Sequence, residues 1–193
     1  MRKILDHLYR GSGVVAAVFL AAICVVVLLQ VGANVIDALA SWLLGHSFGL
    51  VVPSYAEFAG FFLAGTSFLA LAYTLRCGAH IRVSMIIQTL STAQRRFVEI
   101  WCAGLGAVLS AYFAVYTVGL VVESIEFGDV SPGMVALPLW IPQVPMAIGL
   151  IVLTVALVDE FFEALAGREP SYVHGRFAGG DAGAGDDVSV PME

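Results

Sequence analysis

Charge is what this sequence lacks. Only 12% of its 193 residues are charged, 60% are hydrophobic, and the mean hydropathy is +0.92. A soluble domain carries about a quarter charged residues, so little polar surface is left to cover a water-soluble body. What charge there is stays out of four stretches: Gly11–Ile36, Phe58–Leu75, Ile100–Val122 and Val130–Val158. Each is long enough to cross a hydrocarbon core of about 30 Å at about 1.5 Å per helical residue. One such stretch would fit a buried core helix; four in so short a chain do not.

Cysteine is nearly as scarce. Cys24, Cys77 and Cys102 form no C-x-x-C pair, which argues against structural disulfides and a dithiol redox centre. His7, His46, His80 and His174 lie outside the spans or at their edges, so axial haem ligands are missing. No acidic or basic residue lies near the middle of a span, where a self-sufficient ion-coupled carrier would hold one. Small four-helix multidrug exporters depend on a glutamate in the first helix, and Ser12–Ile36 contains none. Phosphate loops, metal-ligand clusters and nucleophile elbows are absent as well. No catalytic, cofactor-binding or metal site is therefore expected. The net charge of −6 owes much to Asp181, Asp186, Asp187 and Glu193 in a Gly-rich tail; it does not point to nucleic acid as a partner.

The arginines that are present alternate by segment. Arg2, Lys3 and Arg10 precede the first span, Arg76, Arg82, Arg95 and Arg96 fall between the second and third, and Arg168 and Arg176 follow the fourth. The other two connections carry none. Lysine and arginine resist translocation, so the pattern predicts cytoplasmic N and C termini. The first stretch exceeds the roughly 7–15 residues of a signal-peptide core and shows no clear cleavage pattern, so it is expected to be retained. The expected fold is an all-α integral membrane protein. Its four transmembrane helices, at about 12–36, 56–76, 97–122 and 143–163, form one domain over 1–166, followed by a disordered cytoplasmic tail over 167–193.

Local patterns add detail. Ile4, Leu5 and Leu8 share one helical face and suggest an interfacial lead-in to span one. Gln30 and Asn34 stand one turn apart near its far end, suited either to another helix or to headgroup water. "SYAE" at 54–57 reads as a capping box, with Ser54 over the first amides of span two and Glu57 reaching back; a partner contact is the other reading of Glu57. Arg76 suits snorkelling to headgroups at the end of that span. Ala56, Gly60 and Ala64 in span two, and Ala103, Ala107, Ala111 beside Gly106, Ser110, Ala114 in span three, make small-residue ridges for close helix packing. Val83, Ile86, Ile87 and Leu90 predict a short amphipathic helix on the membrane surface, before a second possible box, "STAQ", at 91–94. Pro132, Pro138, Pro142 and Pro145 cannot all lie in a regular helix, so an extended or broken approach is expected. A helix should follow from about Gln143 to Glu163, with Pro145 in its first turn and Trp140 in an aromatic belt.

The run "YAEFAGFFLAGTSFLALAYTLRCGAHIRVSMI", Tyr55–Ile86, resembles the small membrane subunit of tripartite ATP-independent periplasmic (TRAP) transporters, the DctQ-like family. Glu57, Arg76, Gly78, His80, Ile81, Arg82 and Val83 match the family pattern, although an aspartate often follows that valine and here Ser84 stands. "SPGMVALPLWIPQVPMAIG", with Pro132, Ile141, Pro142 and Pro145, is similar too. The resemblance covers roughly Val14 to Phe162. It implies a non-catalytic small permease subunit in the bacterial inner membrane. That subunit would scaffold a large TRAP membrane subunit and help dock a periplasmic solute-binding protein, for sodium-driven uptake of an organic anion. On this reading Glu57, Arg76, Gly78, His80, Arg82, Pro142 and Pro145 are candidate interface or topology residues. A membrane anchor for a redox enzyme and a small stand-alone exporter are the alternatives.

Overall fold

A computed structural model describes residues 2–46, 48–50, 53–77, 92–133 and 135–166. Gly78, His80, Arg82, the expected surface helix around Val83–Leu90, Ser91 of the second box, and the tail from 167 lie outside the described residues. Four helices account for most of what is described: α1 (Arg2–Leu44), α2 (Tyr55–Arg76), α3 (Thr92–Phe127) and α4 (Trp140–Leu165). All four are long and apolar enough to cross a membrane. Among the described residues there is no strand, only one isolated antiparallel bridge, Val130 with Pro138.

Three helices outrun their expected spans; α3, Thr92–Phe127, passes 97–122 by five residues at each end. With 43 residues, α1 is about 64 Å long, roughly twice the hydrocarbon thickness. The amphipathic lead-in runs straight into the first span because nothing between them breaks a helix. The far end continues through "DALASWLL" and stops only before Gly45, whose φ of 74° takes the left-handed conformation that ends helices. The third is α4, which starts at Trp140 rather than at Gln143. Pro142 thus occupies its first turn, where a missing amide costs nothing. Pro145 sits inside the helix rather than in its first turn, leaving the Ile141 carbonyl without its usual donor.

The helices do not form a square bundle. α1 packs on α2, α2 on α4, and α4 on α3, while α1 and α4 touch only marginally. The result is a single row in the order α1–α2–α4–α3. Close approach is what holds the row, since apolar helices gain no hydrophobic drive from each other in lipid. Gly149 of α4 lies on the backbone of α2, where an added Cβ would come 2.8 Å from the Leu69 nitrogen. Gly13 of α1 faces the Tyr73 ring, and Gly65 of α2 faces the Phe19 ring. On α3 the ridge of Ala107, Ser110 and Ala114 is buried against α4, with Gly104 on Phe161 and Gly106 on Leu157. The ridge expected on α2 is not used: Ala56 and Gly60 are exposed, and nothing lies within 4 Å of a Cβ at Gly60. The face that packs instead carries Gly65, Leu69 and Ala72.

Three hydroxyls within the row bond across helix contacts. Ser12 of α1 donates to the Leu69 carbonyl of α2, and Thr66 donates to the Ala16 carbonyl at 3.3 Å. Ser110 of α3 lies 2.8 Å from Thr154 and 3.3 Å from the Leu150 carbonyl. A small cluster of Tyr9, Ala72, Leu75, Val152 and Ala156 marks where α1, α2 and α4 meet.

Candidate functional site

Of the candidate residues of known position, Pro142 and Pro145 lie on α4, and Ser54, Glu57 and Arg76 mark the two ends of α2. Glu57 lies in its first turn and Arg76 in its last, about 28 Å apart along the axis, so they belong to separate sites. One end of the row carries Arg10, Arg76 and Arg96; the other carries Pro53, Pro132 and Pro138. They are called here the arginine end and the proline end.

At the arginine end, Arg76 does not snorkel. It is buried, 5% exposed, and its guanidinium pairs with Asp159 and, at 3.6 Å, with Glu160 of α4. The same group lies 4.9 Å from the centroid of the Tyr9 ring of α1, a cation–π distance. One side chain thus ties three helices together. Its position in the last turn also suits the negative end of the α2 dipole. Desolvating a cation is costly unless charge and hydrogen bonds replace water, and two carboxylates on α4 supply that replacement. Nearby, Arg96 of α3 donates to the Ala164 carbonyl at 3.2 Å and to the Leu165 carbonyl at 2.7 Å. It covers the C-terminal carbonyls of α4, which have no acceptor role inside the helix.

At the proline end the expected capping box does not form. Ser54 is the N-cap of α2 but has φ 54° and makes no side-chain capping bond. A capping hydroxyl needs an extended-type backbone to face the first amides; the left-handed turn points it away. The Ser54 hydroxyl instead accepts from the Val135 amide at 2.9 Å. Nor is Glu57 seen reaching back to Ser54: its Oε2 accepts from the Ser131 hydroxyl at 2.8 Å. Gly133 lies against the same carboxylate, where a Cβ would overlap it.

The segment that receives Glu57 is itself tied by backbone hydrogen bonds. Ser131 donates its amide to the Leu137 carbonyl at 2.8 Å, and Leu139 donates to the Asp129 carbonyl at 3.0 Å. These two bonds flank the Val130–Pro138 bridge, so Pro138 occupies a position where no amide is asked of it. The broken approach expected before α4 is therefore a compact turn clasped onto α2. Pro145 contributes lower down, 3.5 Å from where a Cβ on Gly65 would sit.

Further along α1, Gln30 donates to Asn34 within the helix at 3.1 Å. Asp37 accepts from the amides of Phe48 and Leu50 at 3.1 and 2.8 Å, fixing the turn after α1. His46 lies edge-on to Phe48 at 5.5 Å.

Glu57, Ser54 and Arg76 thus sit in internal junctions that join α2 to the α3–α4 half of the chain. Asp159, Glu160, Tyr9 and Ser131 complete those junctions and went unread in the sequence. The available signal was an acidic pair closing the fourth span at the depth where Arg76 closes the second. Among the described residues, shallow apolar grooves flank the row. One of about 550 Å³ lies between α1 and α4 over Leu69, and one of about 560 Å³ lies between α3 and α4 beside Trp101 and Phe161. All three cysteines are free thiols.

No curated protein and no solved structure matches the chain. Residues 48–167 match the family described as "Tripartite ATP-independent periplasmic transporters, DctQ component". The match contains α2, α3 and α4 whole, with every junction residue named above except Tyr9. It describes a transporter component and not an enzyme. With a match over most of its length and four helices able to cross a bilayer, this chain belongs to the DctQ component family of TRAP transporters.

Proposed function

We propose that the chain is the small permease subunit of a sodium-driven, binding-protein-dependent transporter that takes up an organic anion across the bacterial inner membrane. It braces a large membrane subunit and helps dock a periplasmic binding protein, with both its own termini in the cytoplasm. The observation that carries this reading is the single row of helices. A layer one helix thick has no interior in which to enclose a solute, but it offers long apolar edges to a neighbour. Its buried charges support the same reading: Arg76, Asp159 and Glu160 bind one another at one end of the row, where they hold helices in place. The alternating arginines support the orientation. Gly78, His80 and Arg82, in the connection that follows Arg76, are read as fixing that connection against headgroups or the large subunit.

The test is reconstitution. The chain is co-expressed with a large TRAP membrane subunit and its binding protein, and the complex is isolated through a tag on the small subunit. Vesicles holding all components should take up an organic acid when sodium is higher outside, and vesicles holding this chain alone should take up none. Accumulation by the chain alone, or failure of the large subunit to co-purify, would overturn the proposal.

A further inference from the structure

A row of helices has two edges, and here they differ in chemistry. The α1 edge is aliphatic: its exposed large side chains from Val14 to Val31 are Val14, Val15, Val18, Leu20, Val25, Val27, Leu28, Leu29 and Val31. The α3 edge carries two phenols. Tyr112 and Tyr116 are 55% and 59% exposed, with ring centroids 4.5 Å apart. Together with Trp101, Leu105, Val108 and Gly119 they repeat at helical spacing, on the side opposite the buried Ala107, Ser110 and Ala114.

Depth makes the phenols informative. Ser110 bonds Leu150 and Thr154, which lie midway along α4 (Trp140–Leu165). Gly149, in the same turn, lies on Phe68 and Leu69 near the middle of α2 (Tyr55–Arg76). Tyr112 follows Ser110 by two residues, so it stands close to the centre of the bilayer, with Tyr116 one turn nearer the proline end. Aromatic side chains with polar tips collect at the membrane surfaces, where the tip meets water. A half-thickness of about 15 Å separates the bilayer centre from that water. Tyr116 stands roughly 9 Å from the level of Ser110, but helix side chains lean toward the N-terminus, here back toward the centre, so neither phenol reaches the surface. Two phenols own two O–H protons, and a side-by-side pair can use one between them. The other needs an acceptor that lipid tails do not have.

We infer that the α3 edge, centred on Tyr112 and Tyr116, seats a transmembrane helix of the large subunit. That helix offers an uncharged acceptor at mid-bilayer, a hydroxyl, a carboxamide or an unpaired backbone carbonyl. The aliphatic α1 edge faces lipid. This assignment rests on the small-subunit reading and adds which edge does the bracing.

Site-specific photocrosslinking in the complete co-expressed transporter tests it. A benzophenone amino acid at Val108 or Val115 of α3 should yield an adduct with the large subunit, and one at Val18 or Leu28 of α1 should not. Changing Tyr112→Phe and Tyr116→Phe together, which removes only the hydroxyls, should lower co-purification of the large subunit several-fold while the yield of the small subunit holds. Adducts from α1 and none from α3, adducts joining two copies of this chain at α3, or full co-purification of the double variant would overturn the inference while leaving the small-subunit reading standing. Failure of the unmodified chain to co-purify with the large subunit would remove both.

Discussion

Replacing Arg76 with alanine strips one cation from a junction that holds three helices. Arg76 is 5% exposed, and its partners Asp159 and Glu160 are 23% and 7% exposed at the side chain. Removing one member of a buried ion pair costs about 3–5 kcal/mol, because the partner stays desolvated and uncompensated. Asp159 retains some water, which favours the lower figure, and the lost contact with the Tyr9 ring adds up to about 1 kcal/mol. A total of about 3–4 kcal/mol lowers the melting temperature by about 6–16 °C for a chain of this size. The measurement is thermal unfolding in detergent, followed by tryptophan fluorescence. A neutralised set, Arg76→Met with Asp159→Asn and Glu160→Gln, should recover much of the loss, since replacing a whole buried pair by neutral groups is often nearly free. If the alanine variant melts with the wild-type protein, or the neutralised set is no better than alanine alone, Arg76 is not the tie described.

Glu57→Gln keeps an acceptor for Ser131 and loses only the charge on it, so it should cost about 1 kcal/mol; Glu57→Ala leaves the buried Ser131 hydroxyl without that acceptor and should cost about 1–3 kcal/mol. Faster amide exchange at Val135 in the alanine variant is the readout, and equal protection in both variants would refute the clasp. Gly149→Val should abolish the α2–α4 contact and sharply lower folded yield, since the first atom added meets backbone; Gly60→Ala, with open space around it, should be neutral or stabilising by up to about 1 kcal/mol. Melting curves distinguish the two, and a well-folded Gly149→Val protein would contradict the close approach. Replacing His80 and Arg82 together by alanine should weaken co-purification with the large subunit; unchanged assembly and uptake would remove their interface role.

Much of the architecture was legible because the bilayer imposes it. Stretches without charge mark what can cross hydrocarbon, and each of the four holds much of one long helix. What stayed hidden depended on which helix lies beside which. Arg76 read as a solvated end because its counter-charges, Asp159 and Glu160, are far off in sequence and meet it only when α4 packs on α2. Ser54 and Glu57 fit a capping pattern, yet the turn before α2 is left-handed and both side chains were taken by the segment around Ser131 and Val135. Small-residue spacing signals the capacity to pack and not the direction: the α3 ridge faces α4, while Gly60 faces open space. Prolines blurred the start of α4, because one sits harmlessly in a first turn and another is carried inside the helix.

Both polar junctions and the Gly149 contact join the same two pieces, α1 with α2 and α3 with α4, at top, middle and bottom. Along the backbone those pieces are linked once, between residues 77 and 92. A break there would leave three lateral ties intact. The polypeptide should therefore tolerate being made as two separate fragments that find each other in the bilayer and behave as the uncut whole.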